Sequence, residues 1–173
     1  MDSVSIATAS GAVREEQVKK ILENILEKYE LAPYTFTDTV RIESYVKPHS
    51  HPVLTLNTYK FDEHHLLSVY VHEQIHWFLD EKEQKAEAVI AELREHYEEV
   101  PVGDPEGAPS EYSTYLHLIV CPLEYTALKR LLGDPAAKEL LHEKNFYQWI
   151  HKTTIHDYEF LMDIIRKHGL EIE

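Results

Sequence analysis

The reading of this chain turns on Leu66-Leu67-Ser68-Val69-Tyr70-Val71-His72-Glu73-Gln74-Ile75-His76-Trp77-Phe78-Leu79. Its apolar residues Leu66, Leu67, Val69, Tyr70, Ile75, Trp77, Phe78 and Leu79 make a strongly buried helical segment that Asp62 can cap at its start. Within it, His72 and His76 stand four residues apart, which on a helix places both rings on one face, one turn from each other. Polar groups in so apolar a stretch are costly unless paired or ligated, so the two histidines and Glu73 need a reason to be there.

Metal ligation supplies that reason. Two imidazoles at this spacing can converge on one ion; zinc suits neutral imidazole at about 2.0 to 2.1 Å, and a catalytic site adds a third protein ligand and keeps a position for water. Glu73 then lies beside the water and not on the metal, placed to act as general base. Loss of Glu73 is therefore expected to spare metal binding and abolish turnover. A structural histidine pair, satisfied inside the core, is the competing explanation.

This His-Glu-x-x-His pentapeptide resembles the signature of the zincin superfamily of metallopeptidases, a resemblance that covers little of the chain. The metzincin extension would place a glycine three and a histidine six positions after the second histidine; here those positions are Leu79 and Lys82, which excludes that branch. A gluzincin-like arrangement, with a glutamate from a later helix as third ligand, stays open. The resemblance implies a zinc-dependent peptidase acting on a peptide or protein substrate. Glu124, in Leu123-Glu124-Tyr125-Thr126-Ala127, is the preferred third ligand, because it interrupts an apolar helix and has a small residue three positions on. A charge on a solvated face is the alternative. His117, seven residues earlier on the same face, comes next and could instead orient a ligand or stabilise an oxyanion. Cys121 ranks third, since a lone cysteine on an apolar helix is more often a small buried hydrophobe.

Outward toward the start, Val18, Ile21, Leu22, Ile25, Leu26 and Tyr29 have the spacing of one helical face, predicting a helix over Val13 to Tyr29 with Ser10 near its N-cap. Alternation from Val40 to Val46 predicts a half-buried strand ending near Pro48, and Val53 to Asn57 a second short strand. That second strand is the expected edge along which an extended substrate would lie, or else an ordinary sheet strand.

Outward toward the end, Glu81 to Tyr97 reads as a more polar helix with Ala86, Val89, Ile90 and Leu93 inward, followed by a surface loop punctuated by Pro101, Gly103, Pro105, Gly107 and Pro109. Ser110 should cap an apolar helix to Leu132, with a kink or restart at Pro122. Gly133, Asp134 and Pro135 turn into a short helix, and Thr154 with Asp157 is expected to cap a last one ending near Gly169. Glu87 and His96 are expected on solvated surface, as are most of His49, His51, His64, His65, His142, His151, His156 and His168. Tyr112, Tyr115, Tyr147 and Tyr158 are equal candidates for a phenol at the reacting oxygen.

Composition bounds the rest. The 173 residues are 43% hydrophobic with 11 Tyr, 5 Phe and 2 Trp, enough to fold, and the prior is one domain over 1–173. The fold class expected is α+β: a mainly helical, zincin-like domain with a small sheet preceding the helix that carries the motif. A net charge of -14 with only 17 Lys and Arg disfavours phosphate backbones and anionic membranes, so no nucleic acid and no membrane partner is expected. A single cysteine cannot close an internal disulfide, and the start Met1-Asp2-Ser3-Val4-Ser5 lacks the basic and apolar regions of a leader, so a cytoplasmic location is expected. A metal-binding or protein-interaction module without catalysis is the alternative function, and hydrolysis of a non-peptide amide or ester a third.

Overall fold

The computed structural model describes residues 4–59 and 62–173. The fold is α+β and mainly helical, with a small sheet ahead of the motif helix. The chain divides into two compact units, 1–78 and 79–173.

In the first unit, β1 (Ser5–Thr8), α1 (Val13–Lys28), β2 (Thr39–Ile42) and β3 (Leu54–Leu56) precede α2 (Glu63–Asp80). The three strands are parallel in the order β1-β2-β3, with Ser5 opposite Thr39 and Val40 opposite Leu54. Val40 and Ile42 point into the core while Thr39 and Arg41 are exposed, the alternation a one-sided strand requires. Helix α1 lays Val18, Leu22 and Ile25, all fully buried, against β1 and β2.

Two expectations fail in this unit for one reason. Ser10 does not cap α1; Ala12 holds that position with no side-chain bond. Nor does β2 run on to Val46. The cause is Glu15, buried in the first turn of α1, whose carboxylate accepts from the backbone N–H and hydroxyl of Ser10 and from the N–H of Ser44. Capturing the Ser44 amide takes it out of any ladder, and Tyr45 turns the chain with φ 65. These bonds, the Ser10 amide foremost, hold the Glu15 carboxyl well below the usual range, at about 2.

The outer edge of β3 is closed by its own chain. Thr55 donates to the His49 carbonyl at 2.8 Å and accepts from the His49 amide at 3.0 Å. An extended substrate cannot pair with Thr55 unless this loop leaves, which removes β3 as the ready docking edge expected from sequence.

In the second unit, α3 (Glu83–His96), α5 (Asp134–His142), α6 (Gln148–His156) and α7 (Tyr158–Lys167) all pack against α4 (Glu111–Leu132). Ser110 caps α4 as expected, its side chain accepting from the Ser113 amide. The helix then continues through Pro122 without the expected restart. The loop before it is less superficial than its prolines suggest: Ala108 is fully buried, and Thr114 Oγ1 donates to the Pro101 carbonyl and accepts from the Ala108 amide. A side chain at Gly107 would place its Cβ 2.0 Å from that same Pro101 oxygen, so only glycine fits.

The end of the chain corrects a further expectation. Thr154 lies inside α6, a helix not foreseen, with its hydroxyl buried and without a hydrogen-bond partner among the described residues. Asp157 stands between α6 and α7, and its carboxylate accepts from the Tyr97 hydroxyl instead of capping.

Candidate metal centre

Helix α2 fixes the direction of the motif by what lies on its other faces. Gln74, fully buried, accepts from the amides of Phe36 and Thr37 at 2.7 and 2.9 Å and donates to the Thr37 carbonyl at 2.9 Å. Trp77 Nε1 donates to the Ser50 carbonyl, and its indole stacks on His51 with ring centroids 4.2 Å apart. Two positions before Gln74 and two after it, His72 and His76 are turned to another side; their ring centroids stand 5.2 Å apart. His72 and Glu73 are each 8% exposed, and His76 is half-buried.

Helix α4 contributes its own row. His117 is buried, and its Nδ1 donates to the Ser113 carbonyl at 2.7 Å, a bond that puts the proton of the neutral ring on Nδ1. Its ring lies against Tyr147, centroids 4.6 Å apart. Cys121 and Glu124 follow along the helix, both completely buried. Burial pushes the Cys121 thiol pKa up, and the neighbouring Glu124 carboxylate adds to that, so the thiol stays protonated in the absence of metal. Glu124 Oε1 accepts a bond of 2.6 Å from the ammonium of Lys144, itself buried.

On α2, His72 and His76 offer ring nitrogens within 4.8 Å of each other, and on α4 the ligand atoms of Cys121 and Glu124 are as close. These side chains could hold a metal ion.

The other sequence candidates separate clearly. Tyr112 donates to Glu87 on the surface, which pushes its pKa up to about 12. The Tyr115 hydroxyl donates to the Tyr97 carbonyl, and that of Tyr158 is bonded to Thr126. Of the four phenols, Tyr147 alone is described against a candidate ligand. His96 is exposed and stacks on Phe160, and His168 meets Glu92, as surface histidines do. His151 is not a surface residue; it is 3% exposed. Sequence reasoning missed Gln74 and Lys144, whose roles depend on partners distant in sequence that leave no local pattern.

Compared with protein-family models, curated proteins and solved structures, the chain matches none. No helix among the described residues is long and apolar enough to cross a membrane.

Proposed function

We propose that this chain is a zinc-dependent hydrolase that cleaves peptide bonds, with His72 and His76 holding the ion and Glu73 as general base. The observation that carries the proposal is the histidine pair on one turn of α2, whose ring nitrogens lie within 4.8 Å of each other beside Glu73.

Zinc would supply Lewis acidity there, lowering the pKa of a water and polarising the scissile carbonyl. Glu73 takes the proton from the attacking water as the new C–O bond forms, and returns it to the amine nitrogen as the C–N bond breaks. Carboxylic acid and amine leave as products. His72 and His76 would offer the ion neutral nitrogens from one turn of α2. A lone, buried Cys121 and the net charge of -14 support work in a reducing compartment such as the cytoplasm, on a peptide or protein and not on nucleic acid or membrane.

The low exposure of His72 and Glu73 favours one other reading, a closed metal site without turnover. Glu73→Gln separates the two. Zinc-loaded wild type should cleave members of a peptide library, and Glu73→Gln should bind equal zinc and lose at least about a hundredfold in rate. Equal cleavage by both proteins, or none by either, removes the hydrolase.

A further inference from the structure

We propose that the second unit carries a binding cleft for a small organic monocarboxylate, anchored by the ammonium of Lys129. Every residue involved lies within that unit, and none belongs to the proposed metal site.

A cleft of about 460 Å³ opens where the last turns of α4, the start of α5 and the junction of α6 with α7 meet. That volume is within the range of small-molecule sites. Tyr125 and Lys129 stand one turn apart on α4, and Tyr158 opens α7. The two phenol rings are nearly perpendicular, at 84°, with centroids 5.2 Å apart. Their hydroxyls fix them: Tyr125 donates to Asp134 at 2.6 Å, and Tyr158 shares a bond of 2.7 Å with Thr126. Half-buried Lys129 places its Nζ over both rings, 3.7 Å from the Tyr158 centroid and 4.8 Å from that of Tyr125.

Ring faces attract the charge of an ammonium, but they do not supply the oxygen acceptors that its three N–H groups take. A chain with 31 Asp and Glu holds many such acceptors, yet no carboxylate among the described residues pairs with Lys129. Those lining the cleft are otherwise engaged or open to water. Asp134 meets Lys138 at 2.8 Å, Asp157 meets the Tyr97 hydroxyl and His156, and Glu159 is exposed. Held in place and short of an acceptor, Lys129 is preorganised for a carboxylate brought by a ligand. Half-buried Ile155 and the exposed ring of Phe160 line the same cleft and give the hydrocarbon part of that ligand a surface to cover. The net charge of -14 favours a single negative charge, since a dianion such as phosphate is repelled about twice as strongly by the surrounding carboxylates.

Phenylacetate is the probe, titrated into the full chain and followed by calorimetry and amide NMR shifts. Wild type should bind it at one site with a Kd of the order of 1 mM, and the amides of Lys129, Tyr158 and Phe160 should shift, with zinc or without it. The neutral isostere phenylacetamide should bind about tenfold more weakly. Lys129→Met keeps a stem over the rings and should weaken phenylacetate by about tenfold, while Lys129→Arg should stay within about threefold of wild type.

The absence of a saturable shift at these amides, an unchanged affinity in Lys129→Met, or shifts that require zinc would each overturn the inference. Tighter binding of phenethylammonium would also overturn it, by making the rings a site for a cation, and tighter binding of inorganic phosphate would do so by showing that charge alone decides. Should Lys129→Met fail to fold, the comparison of phenylacetate with phenylacetamide and phenethylammonium on wild type decides.

Discussion

Gln74→Leu should destabilise the first unit by about 2 to 3 kcal/mol. The side chain is fully buried and makes three hydrogen bonds to the backbone of Phe36 and Thr37. Each contributes about 1 kcal/mol net, giving about 3; partial access of water to those amides and the apolar gain of leucine return a fraction of this. Urea denaturation followed by tryptophan fluorescence measures it. Trp149→Phe in both proteins leaves Trp77, on the same helix as Gln74, as the reporter. Since these bonds also hold the rotation of α2, zinc affinity should fall in the variant even at temperatures where it stays folded. A loss under about 0.5 kcal/mol, with zinc binding unchanged, would refute Gln74 as the anchor of the motif helix.

Other perturbations test the surroundings. The folded pKa of Glu15 is depressed to about 2 from an ordinary 4.5, so its contribution is present above pH 4.5 and is lost as pH falls toward 2. Glu15→Gln should be less stable than wild type at pH 7, and the gap should shrink in acid titrations monitored by circular dichroism; a constant gap would contradict the depressed pKa. Thr114→Val removes the one side chain that both donates to the Pro101 carbonyl and accepts from the Ala108 amide. It should cost the second unit about 2 kcal/mol in urea titrations read from Trp149 and speed proteolysis between 101 and 109, and unchanged cleavage would show the loop holds itself.

How far the sequence could be read depended on where each constraint lies. The helices α1, α2, α3 and α4 were legible because their inward residues recur at helical spacing, and Ser110 announced the start of α4 three residues before the amide it binds. The candidate ligand pair was legible for the same reason, both histidines lying on one turn. What escaped notice depends on distant partners. Strand β1 is half-exposed and short, and only its pairing with β2 makes it a strand. Strand β2 stops because Glu15, far earlier in the chain, takes the Ser44 amide. Thr154 and Asp157 have the residue types of a cap, but α6 already covers Thr154 and Tyr97 engages Asp157. Glu124 did interrupt an apolar face, as read from sequence; that its charge is met by Lys144 could be learned only from the fold.

Metal content tests the central claim most directly. Wild type, His72→Ala, His76→Ala and Glu73→Gln should be purified without chelator, dialysed against trace zinc and analysed by inductively coupled plasma mass spectrometry. Wild type and Glu73→Gln should carry about one zinc per chain and each histidine variant far less than that, while remaining folded. Stoichiometric zinc retained by the His72 or His76 variant, or wild type that stays empty, would contradict the proposed metal centre.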